Sequence, residues 1–560
     1  MARLRRLTGA TAAAAGIALS RMAGLFRAAL VTNVLGVGRV GDAFAAALRI
    51  PNVIQNLLGE GALTAAFVPA YSSSVDEDDE AAGELAGAVA SFLLILTAAL
   101  VAIGVLAARP ITRVIAWGFE GQRFELTVTL VRIITIGTGI LVLTSWCLGV
   151  LNSHRRFFLS YVAPVIWNAV QIGVLITVVA AGWADVDVAE ALAWGLVGGA
   201  VAQLAVQLPA VLRANPAIRL RAPWRNDAAR VVIRRFGPAV LGRGAMQISA
   251  FVDLALASFL AVGAASAMAA AQTLYILPLS IIGISVMAAE LPEISRLQDS
   301  TEIARRVERR LLTGTYLVTG VVALYLAAAT PIADSVFNLG GFRDVIAHDD
   351  VMLIGLTLAT YSLGLPALVA SRLLQNVCFG VGDTSTPARI ALIRITISFA
   401  IGVLLMFPLD KVLIVDGALT GFGGGDQFFD RLPSGVRTDE LLPARLGALA
   451  LAFGAAIGAW VELALLRGVV LARWGRARLL TAQRTRHAVI PIASLAAGWA
   501  VARATEIAEP LLDLVVIGAV VGVTHLAFGL ALRSQAVEPL TSAMRRRESS
   551  SETPERPSTP

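Results

Sequence analysis

The chain has 560 residues, 57% of them hydrophobic and 15% charged, and a mean hydropathy of +0.75; these values exclude a water-soluble multidomain protein and indicate a polytopic membrane protein. Net charge is +7, and Lys411 is the one lysine among 46 basic residues. The arginines occupy short loops between apolar runs and form no basic domain, so they are read as topology signals and nucleic-acid binding is not expected.

A span needs about 20 apolar residues. On that basis fourteen are predicted, at 9–35, 41–73, 86–108, 125–152, 158–182, 187–212, 236–262, 265–292, 311–335, 351–380, 387–408, 443–472, 487–507 and 511–532. The first run, Gly9 to Leu35, is too long for a signal-peptide core, lacks a convincing cleavage site and carries two arginines, so it is expected to remain as the first span. Most loop arginines (Arg3 to Arg6, Arg155 and Arg156, Arg213 to Arg235, Arg296 to Arg310, Arg473 to Arg486, Arg533 onward) fall on one side, which places both termini in the cytoplasm. The acidic run Asp76 to Glu80 lies on that same side, but acidic residues count little in the rule.

The fold class predicted is therefore an all-α polytopic membrane protein, with about 14 transmembrane helices in two six-helix lobes plus a C-terminal helix pair. Residues 1–212 form the N-terminal lobe, 213–235 a basic cytoplasmic linker, 236–475 the C-terminal lobe, 476–532 the helix pair and 533–560 an unfolded tail. Transporters built from two bundles hold their substrate at the interface of the two. The outside loop from Asp410 to Pro443 is rich in Gly, Asp and Phe, and is expected to be partly disordered and to carry no chemistry.

Charges inside the spans carry the functional signal. The first two spans hold Ser20-Arg21, Arg27, Asp42, Arg49-Ile-Pro-Asn52 and Gly59-Glu-Gly-Ala62, followed by Phe67-Val-Pro69; farther on come Arg132, Arg243, Arg372 and Arg394. Each charge at bilayer depth costs about 2.5 to 3.5 kcal/mol on insertion scales, so these groups must face water or partners. The candidate acids, Asp42, Glu60, Asp253, Glu290 and Glu462, leave a basic surplus that suits a phosphate or pyrophosphate ligand. The competing reading is that arginines merely bridge helices. It is preferred for Arg132, Arg243 (with Asp253) and Arg394, while Arg21, Arg27 and Arg49 are assigned to an anion cavity and Arg372 stays open between the two. Asp42 and Glu60 are candidates for gating or for holding the arginines. No convergent acid–base set, phosphate loop or histidine cluster is found, and Cys147 and Cys378 lie far apart, so neither an enzyme nor a metal site, cofactor or disulfide is expected.

Those same motifs resemble the MurJ (MviN) lipid II flippase family of the multidrug/oligosaccharidyl-lipid/polysaccharide exporter superfamily. The resemblance runs through Ser20-Arg21, Arg27, Asp42-Ala-Phe44, Pro51-Asn52, Gly59-Glu-Gly-Ala62 with Phe67-Val-Pro69, Leu151-Asn152 with Arg156-Phe157, Pro164 with Asn168, Gly237-Pro238, and Gly382-Asp383 with Thr386-Pro387. It implies a two-lobe alternating-access flippase that moves an undecaprenyl-pyrophosphate-linked peptidoglycan precursor across the bacterial cytoplasmic membrane for cell-wall synthesis. By position it implies a cavity lined by Arg21, Arg27 and Arg49 with Ser20, Ser266 and Arg372, supported or gated by Asp42 and Glu60. It further implies a C-terminal pair that forms a groove for the lipid tail, and partners among membrane lipids and cell-wall synthesis proteins. The chain departs from the family at Thr273, where an arginine is usual, at Ile276 and Gln55, and around Ile401-Gly402, where the asparagine pattern linked to cation binding is missing. Alternatives carried beside this reading are a flippase for another polyprenyl-linked oligosaccharide, a drug or metabolite antiporter, and a non-transporting scaffold of the cell-wall machinery.

Overall fold

A computed structural model describes residues 2–287, 300–338, 346–380, 383, 385–422, 429–474, 484–505, 509–532 and 534. The predicted tail at 533–560, apart from Ser534, and the candidate acid Glu290 lie outside the described residues.

The order begins with α1 (Ala2–Leu35), α2 (Arg39–Ala47), α3 (Arg49–Ile54), a π-helix (Gln55–Phe67), α4 (Val68–Glu77), α5 (Asp79–Leu106), α6 (Ala108–Ile115), α7 (Gly121–Ser153), α8 (Phe157–Ala180) and α9 (Asp185–Ala214). It continues through α10 (Asp227–Ala257), α11 (Ala264–Met287), α12 (Ser300–Ala327), α13 (Ala329–Phe337), α14 (His348–Ser362), α15 (Leu365–Gly380) and α16 (Ser385–Leu409). A hairpin of β1 (Val412–Val415) and β2 (Ala418–Phe422) precedes α17 (Ser434–Arg437), α18 (Gly447–Trp474), α19 (Arg484–Ala504) and α20 (Pro510–Ala531).

Each of the fourteen predicted spans overlaps helix among the described residues, while 288–292 of the eighth and 506–507 of the thirteenth lie outside them. Among the described residues, length and hydropathy qualify eight helices as membrane spans, or nine if α14 and α15, bent by 44° at their junction, are one span. The second predicted span, 41–73, is not one continuous helix. It is interrupted at Leu48 and then widens into thirteen residues of π-helix through Gly59-Glu-Gly-Ala62. Pro51 has no N–H to donate within this segment. Gly59 sits so close to α7 that a Cβ there would come within 2.4 Å of Ser145 Oγ. π-Helical windings are frequent at functional sites.

The chain divides into two compact units. The first comprises Met1–Thr273, Val336–Leu353 and Ile401–Leu451. Its central helix is α7, packed by α2, α5, α9 and the π-helix, while α8 lies against α1 and α9. Lipid tails are as apolar as the side chains, so close backbone approach replaces hydrophobic burial as the drive for packing. Gly199 illustrates this: a Cβ there would stand 2.9 Å from the Trp167 carbonyl, so only glycine lets α9 close on that turn of α8. The second unit comprises Leu274–Ser335, Ile354–Ala400 and Ala452–Pro560. In it α12 packs against α15, α19 and α20, and Leu311, Leu374, Cys378, Ile390 and Leu466 share one buried cluster.

Part of the 410–443 loop is regular, and residues 423–428 lie outside the described residues. Val412 to Phe422 pair as a hairpin around Asp416-Gly417, both in the left-handed region (φ 52° and 72°), the geometry that an Asp-Gly turn supplies.

Candidate functional site

Asp42 accepts four hydrogen bonds within the first unit. It lies in the first turn of α2 and is fully buried. One carboxylate oxygen accepts from the Ser266 backbone N–H at 2.7 Å and the Ser266 hydroxyl at 2.9 Å. The other accepts from the Gly263 N–H at 2.9 Å and from Arg123 Nη1 at 3.0 Å. The carboxylate thus caps the N-terminus of α11, where unpaired N–H groups and the helix dipole favour negative charge, and it neutralises a buried arginine as well. The approach is possible because Gly41 and Gly263 are glycines. A Cβ on Gly41 would fall 2.3 Å from the Gly36 carbonyl, and Gly263 adopts φ +93° with Val37 beside it. Gly263→Ala is expected to lower stability by about 1–3 kcal/mol through backbone strain, seen as a lower melting temperature of the purified protein than that of a Gly173→Ala control.

Arg123, just ahead of the predicted span 125–152, is buried in the first turn of α7, 4.1 Å above the Phe119 ring. The same end of the unit holds a second buried arginine, Arg437, whose guanidinium pairs with Glu120 at 2.9 Å and donates to the Gly118 carbonyl at 2.8 Å. Arg431 also donates to Gly118 and to Phe259. Asp410 accepts from the Ala261 N–H, and burial pushes its carboxyl up to about 7. The long loop therefore carries structure-bearing charge. The Asp-Gly turn flanked by Val412-Leu-Ile-Val415 and Ala418-Leu419 was the signal available in the sequence.

The arginines assigned to a cavity are held differently. Arg27, on α1, donates to the Gln171 side-chain carbonyl of α8 at 3.2 Å and stacks 5.0 Å from the Trp167 ring centroid. Trp167 is itself fixed by donating to the Leu196 carbonyl of α9, and Gln171 by donating to Trp167 O. Arg49, on α3, donates to Gln272 at 2.5 Å. Arg21 is exposed and has no polar partner among the described residues, and Ser20 beside it is half-buried. Carboxylates thus hold none of these three arginines among the described residues. Glu60 lies in the π-helix, with its side chain outside the described residues, as are those of Arg243 and Gln247.

Thr273, the position where the family pattern has arginine, donates its hydroxyl to Ala269 O. In the second unit, Arg394 of α16 faces Glu462 of α18 at 3.5 Å, and Gln375 of α15 donates to the other Glu462 oxygen at 2.8 Å. Arg372, half-buried on α15, lies in the field of that same Glu462 and Arg394. Its charge is partly offset, unlike that of Arg27 and Arg49.

Broken and bent apolar helices, charge buried at their ends and arginines held by neutral groups together define a multi-pass membrane transporter. A family model described as "Lipid II flippase MurJ" matches residues 31–422, and the chain belongs to that family. It is 31% identical over 423 residues to the probable lipid II flippase MurJ of Rhizobium tropici, covering 73% of this chain and 78% of that protein. It is 32% identical over 408 residues to the lipid II flippase MurJ of Burkholderia cenocepacia, covering 71% and 76%. Among solved structures it resembles "Lipid II flippase MurJ, inward closed conformation", with a TM-score of 0.72 at 18% identity over 93% of this chain and 98% of that one. A multidrug MATE transporter in an inward-facing conformation matches at TM-score 0.60 and 15% identity, over 84% and 100%. These last two likenesses concern the fold alone. Membership makes this a multi-pass protein of the bacterial inner membrane and a transporter, not a catalyst.

Proposed function

We propose that the chain flips undecaprenyl-pyrophosphate-linked peptidoglycan precursor, lipid II, from the inner to the outer leaflet by alternating access, for cell-wall synthesis. The observation that carries this is the neutral holding of Arg27 and Arg49 by Gln171, Trp167 and Gln272. An arginine that merely bridges helices is expected to meet a carboxylate, and its charge is then cancelled. One set among amides and an indole face keeps its charge for a pyrophosphate, with the guanidinium fork pre-aimed. Arg21 and Ser20 extend the same cationic surface along α1, and Arg372 supplies charge in the second unit; Thr273, which belongs to the first unit, supplies none.

In this reading 1–212 and 236–475 are the rocking lobes, both termini are cytoplasmic, and Asp42 with Ser266 and Arg123 forms the latch at the outer end. The latch closes on the N-terminus of α11 and must break when that end opens. Glu60 is assigned a gating or positioning role, Ser266 a polar contact exposed on opening, and 476–532 the seat of the lipid tail. No covalent bond forms or breaks; the membrane potential, worth about 2.3 kcal/mol per charge per 100 mV, is available to reset the carrier. Partners in this reading are lipid II, surrounding membrane lipids and the cell-wall synthesis proteins that consume the delivered precursor.

Expression in a strain depleted of its own lipid II flippase is expected to restore growth and cell shape. Failure to do so at normal membrane abundance removes the reading. Rescue of a strain lacking a flippase for a different polyprenyl-linked glycan, without rescue of the first, would favour that other cargo.

A further inference from the structure

An open groove of about 1180 Å³ runs between α8 and α9, and Arg27, Gln171 and Trp167 do not line it. Its floor is hollowed by Gly173 and Gly198, and a Cβ on Gly173 would meet nothing within 4 Å. Its end at the α8–α9 turn is rimmed by Asp187, Glu190, Trp183 and Trp194, the tryptophans 47% and 55% exposed. Asp187, Glu190 and Trp194 follow each other at intervals of three and four residues and so share one face of α9. Asp187, in the first helical turn, complements the helix dipole, which is reason enough for one acid there. Glu190 lies beyond that turn, nearer the hydrocarbon, where a bare carboxylate is expensive. Neither has an ion-pair partner among the described residues.

We propose that this groove binds a phospholipid with an ammonium headgroup, of the phosphatidylethanolamine type. Asp187 and Glu190 pair with the ammonium, the faces of Trp183 and Trp194 enclose it, and one acyl chain lies over Gly173 and Gly198. Two carboxylates beside aromatic faces are complementary to an alkylammonium through charge and cation–π attraction, and they repel an anionic headgroup. A hydrocarbon groove below supplies the apolar half of the ligand. The site lies wholly within the first unit, and the proposal stands whether or not the cargo is lipid II.

The test is native mass spectrometry of the full chain released from nanodiscs of equimolar phosphatidylethanolamine and phosphatidylglycerol of identical chains. Retention of ethanolamine lipid at least about fivefold over glycerol lipid is expected. Asp187→Asn with Glu190→Gln should bring the two to parity, and Gly173→Leu, whose Cβ meets no atom within 4 Å, should lower both by filling the floor. Equal retention by the wild type, or unchanged selectivity in the double variant, overturns the headgroup assignment. Unchanged retention in Gly173→Leu overturns the location. A photo-crosslinker at Ala191 that captures a membrane protein in cells, and no lipid, shows the groove to be a helix-docking face and likewise contradicts the proposal.

Discussion

Arg27→Ala is expected to abolish delivery of lipid II to the outer leaflet while leaving the amount of protein in the membrane unchanged. The partners of Arg27 are Gln171 and the Trp167 ring, both neutral, so truncation strands no buried carboxylate and the fold has little to lose. That separates it from a buried ion pair, where removing one partner destabilises strongly. The loss falls on the ligand. A hydrogen bond to a charged group contributes about 1.5–3 kcal/mol, or roughly 10- to 150-fold in affinity, and a bidentate contact with pyrophosphate sits at the upper end of that range. Arg27→Lys keeps the charge but cannot stack on Trp167 while offering a planar fork, so intermediate binding is expected. Titration of purified variants with a soluble pyrophosphate-sugar analogue reads the affinity, and labelling of outer-leaflet precursor reads transport. Wild-type values for Arg27→Ala in both would remove Arg27 from the cavity.

Asp42→Ala is expected to fail for a different reason, by loss of stability of the latched end. Four donors converge on this buried carboxylate, and Arg123 is buried with it. Truncation leaves the guanidinium without its counter-charge and is expected to cost about 3–5 kcal/mol. Asp42→Asn does not rescue it fully, because the amide places an N–H₂ donor where the native oxygen accepts from other donors. In the double variant Asp42→Ala, Arg123→Met both charges go, and thermal stability should return in part, the Gly263 and Ser266 N–H groups still lacking their acceptor. Transport should not, because the reversible charged contact is gone. A cysteine at buried Leu260, beside the α10–α11 turn, provides a second readout. Cys147 and Cys378 are buried, so a membrane-impermeant thiol reagent applied to cells has little background. Labelling of Leu260→Cys should rise when Asp42→Ala is added; unchanged labelling and melting temperature would show that Asp42 does not latch this end.

The sequence made the helical membrane class and the arginines of α1 and α3 legible, because charge inside apolar runs is a local signal that needs no knowledge of the fold. The partners were not legible. Asp42 and Arg123 are 81 residues apart, and Arg123 sits at a helix start where a basic residue ordinarily reads as solvated loop. Ser266 drew attention only through the family resemblance; that its N–H and hydroxyl both turn to Asp42 follows from the Gly263 bend, which composition does not report. The π-helix escaped for a related reason. Apolar periodicity over Gln55–Phe67 fits any tight helix and does not distinguish four-residue from five-residue hydrogen bonding. The 410–443 loop shows the opposite failure, since its Asp416-Gly417 turn signal was present and was outweighed by composition.

The central claim is that this chain moves lipid II across the membrane through an arginine-lined cavity. Its most direct test is to deplete the resident flippase, supply this chain, and measure lipid II accessible to a membrane-impermeant probe at the outer leaflet. Accessible lipid II should return to the undepleted level with the wild-type chain and stay at the depleted level with Arg21→Ala or Arg27→Ala at equal abundance. Lipid II that stays inaccessible with the wild-type chain, or becomes equally accessible with the arginine variants, would contradict the account.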